Sequence, residues 1–210
     1  MPIREIIDSI LAFNDAGAVQ WVQAELDRGT DAISVLNEGL IAAMDEVGRR
    51  YASGLFFVPE MLMAARAMKK GMSALRPHLE DKGMASKGCI VIGTVRGDRH
   101  DIGKNLVAMM LECAGFKVID LGTDVGAEKF VKTARQNSAD LIALSALITT
   151  TTASMKAAVS IIKSQGKAPK TLVGGAPVTQ AFADEIGADG YSPDAVGAVA
   201  VARRLVGIRD

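Results

Sequence analysis

Two cysteines and two histidines are all that 210 residues offer to a soft or borderline metal ion. Cys89 lies in an apolar run and Cys113 in an apolar-periodic segment, so both read as buried, reduced thiols and not as a disulfide framework. With only His78 and His100 beside them, a zinc site made of protein ligands alone is not supported; a metal bound here must bring most of its ligands with it. Neither sign of charge is in excess, since 24 Lys and Arg balance 24 Asp and Glu, and there is no polybasic run. That argues against nucleic acid and against an anionic membrane surface as partners. No apolar run reaches membrane-spanning length, and the N-terminus MPIREIIDSI carries Arg4 and Glu5 where a secretory signal is apolar, so the expectation is a cytoplasmic protein. Aromatic residues are scarce, while about half the chain is apolar, which suits helices packed on a parallel sheet better than an all-β fold. Neither standard nucleotide loop is present. There is no Gly-x-x-x-x-Gly-Lys-Ser/Thr, and residues 93–97 (GTVRG) do not complete a Gly-x-G-x-x-Gly, so ATP and NAD are poor candidates.

What is present divides near residues 80–87 (EDKGMASK), where the hydrophobic period changes from helical to strand-like. Before it, four amphipathic helices are predicted. The first carries Ile3, Ile6, Ile7, Ile10 and Leu11 and is broken by Asn14-Asp15. The second spans 16–26, and the third is capped by Thr30 or Asp31, with a stripe of Ile33, Leu36, Leu40, Met44 and Val47. The fourth starts near Pro59 and carries Met61, Leu62, Ala65, Met68, Met72 and Leu75. Together they predict a small four-helix bundle over residues 1–83. His78, after Pro77, reads as a surface or capping residue.

From residue 88 to 210, strand and helix alternate: strands over 88–95, 117–121, 141–145, 171–173 and near 190–191, with helices over 102–114, 127–136, 151–164, 177–186 and 194–206. Near-continuous apolar strands separated by helices predict a doubly wound parallel five-stranded sheet, with the flavodoxin-like strand order favoured. In such a sheet the loops after the first, third and fourth strands meet at the topological switch point, where ligands bind. Here they are 97–103, 145–152 (SALITTTT) and 174–177 (GGAP). The first carries Asp98, His100 and Asp101 into a helix start at Ile102-Gly103. His100 could coordinate a metal through one ring nitrogen while the other donates to Asp98, fixing the tautomer. Gly103 would let a bulky ligand approach the main chain. Plainer readings stand beside these: Asp101 as a helix N-cap, Lys104-Asn105 as a solvated first turn, the threonines 149–152 as a cap, Gly174-Gly175 as a tight turn, and the methionines of the fourth helix as core.

Asp98-x-His100-x-x-Gly103, followed by Ser145-x-Leu147 and Gly174-Gly175, resembles the cobalamin-binding fold shared by methionine synthase and the corrinoid proteins of methyltransferase systems. The segments TVRGDRHDIGKNLV and FVPEMLMAARAM extend the likeness to the small corrinoid proteins serving methanol, methylamine and related methyltransferases, over essentially the whole chain. The resemblance implies a Rossmann-like domain binding a cobamide (cobalamin or a related benzimidazolyl cobamide), with methylcobamide as the working form. It implies His100 as the lower axial cobalt ligand and Asp98 on its far nitrogen, with Thr151 extending that chain where some relatives have serine. The loop residues Gly97, Arg99, Asp101, Ile102 and Gly103 would lie against the cofactor. Its nucleotide tail would run between the loop of Ser145, Leu147 and Thr149 and the Gly174-Gly175 turn, with Tyr191 and Ser192 at the far end.

The helical domain becomes a cap over the corrin in this likeness, with Phe57, Met61 and Met68 as cap contacts and the linker 80–87 as a hinge. The implied partners are a substrate-specific methyltransferase, an acceptor methyltransferase using tetrahydrofolate or a thiol, and a reductive activation protein. The protein would be a cofactor-bearing subunit, not a complete enzyme and with no catalytic residue of its own. Gly126 stands where many relatives have proline, an absence expected to leave that loop freer. A mutase subunit using adenosylcobalamin would generally lack the helical domain. A cobalamin-based sensor would usually carry a DNA-binding segment for which this chain has no basic helix.

Overall fold

The computed structural model describes residues 2–80, 86–166 and 168–208, and within them the chain forms two compact units, built mainly on residues 1–85 and 86–210. Most of the predicted linker, residues 81–85, lies outside the described residues.

In the helical unit, α1 (Pro2–Leu11) buries Ile6 and Ile10, one turn apart, and ends before Asn14, whose side chain accepts the Gly17 N–H at 2.9 Å to cap α2 (Asp15–Asp27). Asp31, not Thr30, caps the next helix by accepting from Ile33 N (3.0 Å) and Ser34 N (3.2 Å); the Thr30 hydroxyl is committed to Glu25 at 2.8 Å. That helix runs as α3 (Ala32–Ser34), a π-helical stretch Val35–Ile41 and α4 (Ala42–Ala52). The wider π turn rotates the side chains out of α-helical register. As a result Ile33, expected in the apolar stripe, is 37% exposed, while Val35 and Ile41 are buried. α5 (Val58–Glu80) starts with Pro59 in its first turn and with the Phe57 N–H donating to Glu60 at 2.9 Å, and it continues through Pro77, further than its apolar stripe predicts.

The α/β unit follows the predicted alternation. Its elements are β1 (Cys89–Thr94), α6 (Ile102–Cys113), β2 (Lys117–Asp120), α7 (Ala127–Gln136), β3 (Leu141–Ser145), a 3-10 turn at Thr149–Thr151, α8 (Thr152–Lys163), β4 (Lys170–Gly174), α9 (Gln180–Glu185), β5 (Gly190–Tyr191) and α10 (Ala195–Leu205). All pairings are parallel and the order is β2-β1-β3-β4-β5, the flavodoxin-like arrangement. β1 and most of β3 are buried throughout, as strands covered on both faces must be. α9 begins three residues later than predicted. Val178 is buried and donates its N–H back to Gly175 O at 2.9 Å in a turn, and Thr179 then caps the helix. Among the described residues, no helix is long and apolar enough to cross a membrane.

Below the sheet, Asp189 ties β4 to β5 by accepting from Thr171 N (2.8 Å) and Thr171 Oγ1 (2.9 Å). Burial alone would raise its carboxyl pKa, but these bonds, with Lys163 and Lys170 nearby, hold it below the usual range.

Candidate functional site

The strand order puts the switch point between β1 and β3, and the loops leaving them meet there. Asp98 is the centre. Its side chain is wholly buried, and both of its oxygens are occupied. Oδ1 accepts from His100 N at 3.0 Å and from His100 Nδ1 at 2.8 Å. Oδ2 accepts from Leu147 N at 2.7 Å, Ile148 N at 3.4 Å and Thr151 Oγ1 at 2.8 Å. Burial pushes this carboxyl's pKa up, but the donors from Leu147, His100 and Thr151 overcome that and hold it well below the ordinary carboxylate range. A carboxylate with no proton of its own must receive one from Nδ1, so the ring carries a hydrogen there, and in its neutral form the lone pair falls to Nε2. The His100 side chain is 52% exposed. The Thr151 hydroxyl also lies 2.8 Å from Ile148 O, so its single proton has two acceptors within reach.

The loops after β3, β4 and β5 close in beside this pair. At Gly175, with φ +123°, an added Cβ would stand 1.8 Å from Ala146 O, and at Gly174 it would stand 2.9 Å from Ser192 O. These two glycines are therefore required by the close approach of neighbouring main chain, whatever the ligand. Gly103 is the reverse case: a Cβ there would meet nothing within 4 Å, so the fold itself does not ask for glycine at the start of α6. The two loops also expose apolar side chains, with Ile102 85% exposed and Leu147 and Ile148 exposed as well. Gly97, Arg99, Asp101 and Thr149 are exposed and Ser145 half-buried, all on the two loops that Asp98 joins.

The structure places the other expected residues as follows. Met61 is fully buried in the helical unit and Met68 nearly so, because the face of α5 that carries them packs inward; neither is open to a ligand there. Phe57, just ahead of the helix, is 64% exposed, and Leu55, Val58 and Leu62 are exposed beside it in the chain. Ser192 is buried, its hydroxyl donating to Asp194 O at 2.8 Å at the start of α10, and Tyr191 is half-buried against the sheet core. Lys104 is not solvated. It is buried, with Nζ donating to Asp120 and, at 2.6 Å, to Asn105 Oδ1. Its spacing from Ala108 and Leu111, both buried, is the signal that could have placed it on the inner face. Thr94, Asp124 and Ile148 were also not singled out. Thr94 is buried and donates through Oγ1 to His100 O at 2.8 Å.

Chemically the arrangement offers one imidazole nitrogen and no set of protein ligands; among the described residues no group of three or more His, Cys, Asp or Glu could hold a metal ion. That donor set fits a metal whose other positions are filled by its own macrocycle, and the open space at Gly103 fits a bulky group lying against the helix start. Fold and site together fit the class of cobamide-binding α/β proteins that the sequence resembles, with a helical companion domain.

Comparison with known proteins makes the class specific. Two family models, each described as a B12 binding domain, match residues 88–200 and 2–76. A corrinoid protein of Desulfitobacterium hafniense is 41% identical over 98% of this chain and 97% of its own length, and the dimethylamine corrinoid protein of Methanosarcina barkeri is 41% identical over 97% of each. Among solved structures, the methanol:cobalamin methyltransferase complex of Methanosarcina barkeri matches with a TM-score of 0.85 at 30% identity, over 98% of this chain and 80% of that one. A cobalamin-binding protein of Desulfitobacterium hafniense matches at 0.82 and 28%, over 97% and 98%. The chain belongs to the corrinoid proteins, whose cofactor is a cobamide.

Proposed function

We propose that this protein is a cytoplasmic methyl carrier of a corrinoid methyltransferase system. The bound cobamide supplies a cobalt centre that can hold and release a methyl group, and the chain's own residues bind, orient and shield it. The observation that carries the reading is the exposed His100 ring, whose Nδ1 is committed to a buried carboxylate and whose Nε2 is therefore the nitrogen left for a ligand. His100 would hold the cobalt through Nε2, and Asp98 with Thr151 would set its tautomer and basicity. Ile102, Leu147 and Gly103 give the lower face an apolar, uncrowded seat. The loop of Ser145 and Thr149 and the Gly174-Gly175 turn would hold the nucleotide tail. In the helical unit, the exposed Phe57 is the apolar side chain that could meet a bound group.

The names of the relatives support methylamines or methanol as the methyl source. One methyltransferase, specific for the donor, would load the carrier and a second would unload it to tetrahydrofolate or a thiol, with a reductive protein rescuing oxidised cobalt. Reconstituted with cobalamin and assayed with its neighbouring methyltransferase against a panel of methyl donors, the wild-type protein should be methylated by one of them. His100→Ala should lose the nitrogen-ligated cobalt signature; an unchanged cobalt spectrum would remove His100 from the role.

Gly103→Ala separates fold from ligand. With free space and an ordinary φ at this position, alanine should stabilise the cofactor-free protein by about 0.5–1 kcal/mol, the usual gain for replacing glycine in a helix. Cobamide affinity should fall, because the methyl group stands where the corrin approaches. Urea melts and a cobalamin titration read the two effects. Affinity equal to wild type would mean that Gly103 is not at the contact.

A further inference from the structure

The loop after β2 plays no part in the reading above, yet it grips the ligand loop from behind. Asp124 sits in the left-handed region (φ 56°), accepts the Gly97 N–H on Oδ1 at 2.7 Å, and donates its own N–H to Asp98 O at 2.9 Å. One residue thus fixes main-chain groups on both residues that lead into His100. Its neighbours tighten the same segment. Val125 N donates to Thr94 O at 2.9 Å, and Gly122 O accepts from Thr94 N at 3.0 Å; Thr94 in turn holds the His100 carbonyl through Oγ1 at 2.8 Å. Asp120, at the base of the loop, takes the Gly122 N–H at 2.9 Å and the buried Lys104 ammonium from the first turn of α6. The missing proline at Gly126 therefore leaves a loop that is tied at both ends.

We infer that Asp124 is a positioning residue for His100, acting through the main chain of Gly97 and Asp98. The inference rests on the reading of His100 as the axial ligand. The Asp98 carboxylate can select the Nδ1–H tautomer only if it stands within hydrogen-bond reach of that nitrogen, and Asp98 has no freedom to compensate for a shifted main chain, because its other oxygen is fixed by Leu147, Ile148 and Thr151. A ring released from Asp98 is free to carry its proton on Nε2, the nitrogen that must be bare to bind metal.

Two substitutions isolate the side chain from the backbone conformation. Asp124→Asn keeps an acceptor oxygen and tolerates the left-handed region; Asp124→Gly keeps the conformation and removes the acceptor. The first readout uses the cofactor-free protein at a pH where the ring is neutral. Nitrogen-15 shifts of His100 should report the Nδ1–H tautomer in wild type and Asp124→Asn, and a mixture richer in Nε2–H in Asp124→Gly. The second uses protein reconstituted with cobalamin and reduced to the paramagnetic cobalt(II) state, where electron paramagnetic resonance counts histidine-ligated metal. The ratio of ligated to unligated cobalt should fall about tenfold in Asp124→Gly, the scale seen when a partner behind a metal ligand is lost, and stay at wild type in Asp124→Asn. Retention of both signals in Asp124→Gly, or equal loss in both variants, overturns the inference. A wild-type protein that shows no histidine-ligated cobalt would instead overturn the assignment of His100, and the tautomer readout would still decide the role of Asp124.

Discussion

Gly175→Ala should abolish cooperative folding of the α/β unit, at a cost above about 4–5 kcal/mol, a range reserved for substitutions that a structure cannot absorb. Two penalties act together. The main chain at Gly175 has φ +123°, a region L-residues rarely adopt, and the added Cβ would lie 1.8 Å from Ala146 O, 2.8 Å from Ala146 C and 3.2 Å from Ala146 N. The obstacle is the main chain of a residue directly following β3, not the tip of a flexible side chain, so relief requires β3 and β4 to separate where Ser145 is paired with Gly174. Gly122→Ala provides the internal control. That position has φ +81° but nothing within 4 Å of the added atom, so it bears the conformational cost alone, about 1–2 kcal/mol. Urea unfolding followed by circular dichroism measures both. A Gly175→Ala protein that unfolds cooperatively and is no less stable than Gly122→Ala would show that the two strand ends are not in contact as described.

That crowding bears on what the sequence could and could not disclose. The five β/α units were legible because strands buried on both faces leave unbroken apolar runs such as residues 89–92 and 141–144, and local pattern alone produces them. The Asp98–His100 pair was legible for a different reason, since both residues fall in one loop at a strand end, whereas Thr151 was reached through the family resemblance, its own segment reading equally well as a helix cap. What remained hidden depends on contacts between distant segments. Nothing local marks the π stretch at Val35–Ile41, where a Cβ on Gly39 would stand 3.3 Å from the Ile6 side chain of another helix. Met61 and Phe57 are both large, apolar and four residues apart, but only one lies in the helix and faces the core. Lys104 was assigned to solvent because lysine usually belongs there, although its position on the inner stripe of α6 called for an acidic partner, which Asp120 provides.

Asp98→Asn should cost about 3 kcal/mol of stability and weaken the hold on the His100 ring, although the two side chains are nearly the same size. In the native protein every polar group facing Asp98 donates: Leu147 N, Ile148 N and Thr151 Oγ1 to one oxygen, His100 N and Nδ1 to the other. An amide offers only one acceptor oxygen. With its NH2 toward Leu147, the threonine can adapt by donating to Ile148 O instead, but the Leu147 N–H is left facing another donor. With its NH2 toward His100, the His100 main-chain N–H is orphaned, and Nδ1 must become an acceptor, which moves the ring proton to Nε2. Either way one buried N–H loses its partner, at about 1–3 kcal/mol, and the charge-assisted bonds that remain are weakened. The pH dependence carries a sign that checks the cause. The Asp98 pKa is lowered on folding, so its contribution is complete above the unfolded-state value near 4, about the ordinary Asp figure, and is lost as pH falls through the folded-state value. The stability gap between wild type and Asp98→Asn should therefore be widest at neutral pH and narrow below about pH 4, where the unfolded carboxylate takes up its proton. Urea midpoints collected across that range would show it, and a gap that stays constant with pH would mean that the buried carboxylate is not the source of the difference.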